Sequence, residues 1–343
     1  MARGPLTKVH RLRQTDEVWE SSVRRMRAWI TPRHQTPYRP YVILTVSLTG
    51  GKVVSSEVVE DGPTPDQVLN TIAKAMRHPA LGSGRKRRPA VIFMDDKAQI
   101  ESLAPKLQEV GIRCEYRHTL REVEEALLSM EQYMTRREPI PRLLKSPGVT
   151  PFMVNGLFEA AVFFYREAPW RWIDDPCPIE MCYPPGGRLC YAVVMGHGGK
   201  TYGLAVYNSP DGLREVYAGT PLDQLLGRME WTSLLFGEVM EMPFGDLDDM
   251  EKYGWPVAGE LAYPILLRVT RSGRPVRPGK SELLWFEAAL LAIPTFVHDY
   301  MRADKEFPRP AEATLTVTMA DGEDNIHLRY PVPGFEIPYE RAL

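Results

Sequence analysis

Several groups of side chains in this sequence are of types that can do chemistry. Asp95 and Asp96 stand together at the exit of an apolar run, AVIFM, where neighbouring carboxylates can hold a divalent cation for phosphoryl transfer or hydrolysis. Asp96 also stands where a helix N-cap is due. The stretch GSGRKRRP, residues 82–89, concentrates Arg85, Lys86, Arg87 and Arg88, a cation cluster of the kind that contacts phosphates. No aromatic residue interleaves with it to stack bases. Between Glu238 and Glu260 seven acids face one cation, Lys252, and Asp246, Asp248 and Asp249 form a candidate calcium or magnesium site. The spacing GDLDDMEKYG lacks the alternating oxygen ligands and central glycine of an EF-hand loop, so solvation or an ion pair with the basic loop is expected instead. Cys177, Cys182, Cys190 and His197 are zinc-ligand types, but intervals of five, eight and seven residues do not make the two close pairs of a zinc motif. The run GHGGK, 196–200, lacks the Ser or Thr after its lysine and the helix of a phosphate loop. It reads as a β-turn, and His197 has no neighbouring nucleophile. No cofactor is implied.

The elements that must position these residues alternate over 38–135. YVILTVSL and KVVSSEVVE form a hairpin across Gly50-Gly51. Thr64-Pro65-Asp66-Gln67 is a capping box opening a helix with proline at its first position. The strand AVIFM then runs into a helix carrying Ile100, Leu103, Leu107 and Val110 on one face. The strand IRCEYRH feeds a last helix, with Thr119 and Glu122 as its capping box. Strands separated by single helices favour parallel pairing, which predicts an α/β domain with a mixed sheet. Ahead of it, 1–37 carries eight Lys or Arg against three acids. Trp19, Val23, Met26 and Ile30 fall near one helical face there, so a basic helix and a proline-punctuated linker are expected.

Residues 136–149 hold three prolines and read as the interdomain linker. In 150–343 an apolar helix starts at Thr150-Pro151, and YAVVM and YGLAVY make a hairpin. A further helix starts at Thr220-Pro221. More strands are expected at WTSLLFGEVM, AYPILLRV, ATLTVTM and NIHLRYP, with a helix bent at Pro294. Strands dominate, which predicts an α+β domain with antiparallel strands.

At 343 residues the chain exceeds what one growing core supports, so two domains are expected. Apolar residues at 44%, charged residues at 25% and a net charge of -2 describe an ordinary globular protein. The apolar run 288–297 is about half the length of a bilayer span, so no membrane association is expected. The N-terminus lacks the apolar core of a secretory signal, which predicts a cytoplasmic protein with reduced cysteines.

The hairpin-first order of 38–135 resembles a trimmed ribonuclease H-like fold, in which carboxylates on the first strand, the first helix and the end of a later strand hold two metal ions. Asp95 or Asp96 matches the late-strand acid. YVILTVSL, read as the first strand, contains no acid, and Asp66 lies on the polar first turn of the first helix. The resemblance therefore implies a degenerate, noncatalytic copy. Further on, Ala168-Pro169-Trp170, Trp172-Ile173-Asp174-Asp175, Val194-Met195-Gly196, Tyr202 to Tyr207 and Gly212-Leu213 resemble an uncharacterised bacterial family that pairs such a C-terminal domain with an α/β domain. Some of its members carry a SEC-C type zinc tail. This chain ends in GFEIPYERAL without one, so zinc is not carried over. The expectation is a noncatalytic cytosolic protein that works by binding nucleic acid or another protein, self-association included. The alternatives are a metal-dependent nuclease or phosphohydrolase at Asp95 and Asp96, and a nucleic-acid binder using Arg85 to Arg88.

Overall fold

A computed structural model describes residues 5–33, 36–136, 138–220, 224, 229–302 and 308–336. The chain divides into two units, Met1–Pro139 and Ile140–Leu343, within the stretch 136–149.

The first unit is built on a strand where a helix is expected. Residues Val18–Arg25 form β1, not part of an amphipathic helix, and β1 is the middle strand of a five-stranded sheet. The hairpin β2 (Tyr41–Ser47) and β3 (Lys52–Val59) lies on one side of it, and β4 (Val91–Met94) and β5 (Arg113–Tyr116) on the other. The order is β3-β2-β1-β4-β5, with β1 antiparallel to β2 and parallel to β4. With β5 parallel to β4 as well, the sheet is mixed, as the alternation of strands and helices predicts. The segments flanking β1 pack with it rather than forming a linker. Ile30 bridges Tyr38, and Arg39 is buried with its Nε donating to the Met26 carbonyl at 2.9 Å.

Each face of this sheet has its own core. On one, Trp19, Ile43, Val54 and Ile92 pack against helices α1 (Pro65–Arg77) and α2 (Lys97–Gln108) through Ile72, Met76, Leu103 and Leu107. On the other, Met26, Val42, Leu44 and Val46 pack against α3 (Arg121–Thr135) through Val123 and Leu127. The expected caps hold for α1, where Thr64 and Gln67 form a capping box, and for α2, where Asp96 accepts from Ala98 and Gln99. For α3 they do not. Thr119 is exposed, and the cap is Glu20 of β1: its Oε2 accepts from the amides of Glu122 at 2.8 Å and Val123 at 3.2 Å. The side chain is 1% exposed, so its charge is held by α3's unpaired N–H groups and by Arg117 at 3.5 Å.

The second unit is an eight-stranded antiparallel sheet with helices. Its strands are β6 (Ile179–Cys182), β7 (Leu189–Met195), β8 (Tyr202–Tyr207), β9 (Trp231–Gly237), β10 (Tyr263–Val269), β11 (Pro275–Val276), β12 (Ala311–Met319) and β13 (Gly322–Tyr330). Their order is β11-β10-β9-β8-β7-β6-β13-β12. Helix α4 (Pro151–Glu167), capped by Thr150, lies on the face bearing Phe236, on which Phe164 stacks at 6.3 Å. The short α5 (Pro210–Tyr217) and α6 (Phe244–Tyr253) precede α7 (Lys280–Thr295), which packs on α4, β12 and β13. Pro294 lies inside α7, and the chain continues as a π-helical turn over Phe296–Met301. The helix expected at Thr220-Pro221 falls largely on 221–223 and 225–228, outside the described residues. No described helix is long and apolar enough to cross a membrane.

Removing Glu20's charge leaves buried amides facing a poorer acceptor. Glu20→Gln is expected to cost about 1–3 kcal/mol in urea unfolding, while Thr119→Ala, at an exposed position without a capping bond, should stay within about 0.5 kcal/mol. Equal losses at the two positions would contradict the assignment of the cap.

Candidate functional site

The register Glu20↔Phe93 carries Ser22 of β1 to the level of Asp95, just past β4. Ser22 Oγ donates to Asp95 Oδ1 at 2.7 Å. Arg24, two residues on and on the same face, sends one guanidinium nitrogen to Asp95 Oδ2 and another to Oδ1 at 3.3 Å, and also bonds Ser22 Oγ. A fork on a carboxylate is the strongest ordinary ion-pair geometry. Around this triad a cavity of about 470 Å³ opens, lined further by Asp96, Lys97, Gln99 and Tyr116. Its formal charges balance, with Arg24 and Lys97 against Asp95 and Asp96. Asp96 remains committed to the α2 cap, at 2.9 Å from Ala98 N and 3.1 Å from Gln99 N.

This geometry changes the comparison with ribonuclease H-like sites. The first strand does carry an acid, Glu20, because the first strand is β1; but that carboxylate is bound to α3. Beside the late-strand acid stand a hydroxyl and a guanidinium. An arginine held between Ser22 and Asp95 supplies the positive charge that a cation would bring. Among the described residues no three His, Cys, Asp or Glu groups gather as an ion would require.

The basic loop splits into inward and outward pairs. Arg87 is buried, grips Glu17 at 2.6 and 2.8 Å, and lies over the Trp19 ring at 5.4 Å. Burial opposes the Glu17 charge, but bonds from Arg87, Trp19 and Ser47 outweigh it and hold that carboxyl below its usual range. Arg88 donates to the carbonyls of Leu12, at 3.0 Å, and Val110. Arg85 and Lys86 are exposed. Two of the four cations are thus spent on tying the N-terminal segment to the sheet.

The acidic stretch is likewise turned inward, and its cations are not those of the basic loop. Asp246 is 3% exposed, accepts from Leu143 N at 2.8 Å and pairs with the buried Arg277. Burial raises its carboxyl despite Arg277, and lowers Arg277 in turn. Asp249, one helical turn on and also 3% exposed, meets Arg142 at 3.1 Å. Asp248 is only half-buried, on another side of α6. These acids clasp α6 to the segments around Arg142 and Arg277. The four cysteines are free thiols, and Cys182 and Cys190 are buried. His197 is held elsewhere, by Asp174 at 3.0 Å and the Trp170 carbonyl at 3.1 Å. The turn Gly196–Lys200 is a strand connection, as expected. Gly196 has φ +138°, and a Cβ there would meet the Trp170 ring at 2.8 Å.

Burial, with Asp246 and Asp248 nearby, pushes the Asp249 carboxyl from 3.8 up to about 6 against the pull of Arg142. A carboxyl raised on folding favours the folded state below its unfolded value and loses that contribution as pH rises through its folded value. Asp249→Asn should therefore match the parent near pH 4 and exceed it by about 1–2 kcal/mol above pH 6 in denaturant titrations. A pH-independent difference would contradict this.

Residues 6–131 match the family model described as Domain of unknown function (DUF6930), and residues 155–317 match Domain of unknown function (DUF7309). No curated protein matches the chain. Among solved structures the chain is similar to the HTLV-2 integrase catalytic core domain in complex with magnesium. The trimeric form aligns at 14% identity over 40% of this chain and 78% of that one, with a TM-score of 0.26. The dimeric form aligns at 15% over 36% and 77%, with a TM-score of 0.24. A simian T-cell lymphotropic virus intasome in complex with PP2A regulatory subunit B56 gamma aligns at 18% over 38% and 47%, with a TM-score of 0.23. No activity is carried over from these structures. Two family models of unknown function thus match successive parts of the chain, one within each unit.

Proposed function

We propose that the protein is a noncatalytic binding protein whose first domain is a degenerate ribonuclease H-like unit, working in the cytosol through contact with another molecule. The observation that carries this is the Ser22–Arg24–Asp95 triad. Two-metal catalysis needs several carboxylates converging to hold two cations and to neutralise developing charge. Here Asp95 is forked by Arg24, Glu20 is bound to the α3 amides and Asp96 to those of α2. To recruit Asp95 for a metal, Arg24 would have to leave a carboxylate that is mostly shielded from water, leaving its own charge without that partner. The buried, unpaired thiols of Cys182 and Cys190 fit a reducing compartment.

The full chain, incubated with labelled single- and double-stranded DNA and RNA in magnesium or manganese, should leave every substrate intact. Asp95→Asn should lower unfolding stability by about 1–3 kcal/mol through loss of the Arg24 pair. Metal-dependent cleavage lost in Asp95→Asn would overturn the reading in favour of a nuclease. Salt-sensitive binding lost when the outward Arg85 and Lys86 are replaced by alanine would identify nucleic acid as the bound molecule.

A further inference from the structure

In the second unit the helix-facing side of the sheet changes character along its strands. Register sets Leu204, Leu234 and Leu266 side by side on β8, β9 and β10, and all three are buried. Two residues along, the same face carries Val206, Thr232 and Arg268 in the next cross-strand row. Beyond that lie Asn208 and Glu230. Period-two patterning should keep these positions apolar where a helix covers them. Instead the apolar packing stops, and a cavity of about 580 Å³ opens between this end of the sheet and the start of α7.

The cavity is of small-molecule size, with an apolar wall and a few fixed polar groups. Trp285 and Phe286 of α7 and Val206 of β8 supply the apolar part. Arg268 stands between two carboxylates, Glu230 at 3.1 Å and Glu282 at 3.3 Å. Glu282 is further engaged, its other oxygen accepting from Gly279 N at 2.9 Å. Asp324 lines the opposite side near Tyr183, whose hydroxyl is pushed up to about 12, chiefly by burial, and stays a neutral donor. Of the charged groups lining the cavity, Glu230, Glu282 and Asp324 are acids and Arg188 and Arg268 are cations, leaving one negative charge in excess. An indole ring beside carboxylates that outnumber the neighbouring guanidinium groups by one is chemistry that recognises an organic ammonium ion.

We propose that this cavity is a ligand site for a small aromatic amine, its ring against Trp285 and its ammonium group on Glu230. The site is independent of the reading of the first domain, since it shares no residue with the Asp95 triad.

Four probes that share an indole ring and differ in charge test it by calorimetric titration of the full chain: tryptamine, indole, L-tryptophan and indole-3-acetate. Tryptamine should bind at least tenfold more tightly than indole-3-acetate. Glu230→Gln should remove that difference, and Ser281→Trp, at an exposed position on the cavity wall, should abolish binding. Unfolding midpoints of both variants near that of the parent would show that the fold is intact. If none of the four probes binds, if the anion equals or exceeds the amine, or if Ser281→Trp leaves tryptamine binding unchanged, the proposal fails.

Discussion

A carboxylate cannot remain charged at 1% exposure unless hydrogen-bond donors surround it, and the first domain is arranged so that Glu20 has them. Its Oε2 sits against the first amides of α3, which have no partner inside their own helix, and its Oε1 faces Arg117. This contact fixes where α3 begins and presses its apolar side onto Leu44 and Val46 of the sheet. The segment just past β1 then ties itself to that helix a second time, through Arg27 to Glu124 at 3.3 Å and to Glu131 at 3.5 Å. With α3 anchored by charge and α1 and α2 by apolar burial, β1 is covered on both faces. Polar side chains can occupy it only because each has a partner, as Ser21 has Thr45 at 3.0 Å.

That condition explains which parts of the fold were legible in the sequence. The β2–β3 hairpin, the Thr64 capping box, the Asp96 cap and the apolar stripe of α2 are local signals, and each formed where its residues predict. β1 has no such signal. Trp19 and Val23 pack toward α1 and α2 while Met26 packs toward α3, yet their spacing of four and three residues imitates one helical face. A strand buried on both sides shows no alternation of apolar and polar residues, and here the polar positions are filled by groups whose partners lie some 70 to 100 residues away, Asp95 and the start of α3. The period-two set Glu20, Ser22 and Arg24 was the available clue. Its meaning depended on knowing that Asp95 would stand opposite.

Charge clusters were ambiguous for the same reason. Arg85 to Arg88 read as a solvated or phosphate-binding loop, and the acids of 238–260 as solvated, ion-paired with that loop or cation-binding, because nothing in a linear sequence tells a surface charge from a buried one. Arg87 finds Glu17, Asp246 finds Arg277 and Asp249 finds Arg142, all across long stretches of chain. Where both partners are buried, as with Asp246 and Arg277, breaking the pair is costly because the remaining charge stays buried, so such residues specify which segments meet even where their net contribution to stability is small.

The two sheets therefore place polar residues on helix-covered faces with different consequences. In the first, the departure from apolar patterning closes on itself: Glu20, Ser22, Arg24 and Asp95 satisfy one another or nearby amides, and what remains is a charge-balanced recess. In the second, Thr232, Arg268 and Glu230 interrupt an otherwise apolar face without filling the space they leave, and the surrounding carboxylates outnumber the guanidinium groups. Polar groups that satisfy one another are explained by the architecture alone. Polar groups that hold open a cavity and leave a net negative charge along its wall are not, since packing by itself would favour filling it. On that physical distinction, the region beside α7 rather than the Asp95 recess carries the stronger signature of a ligand.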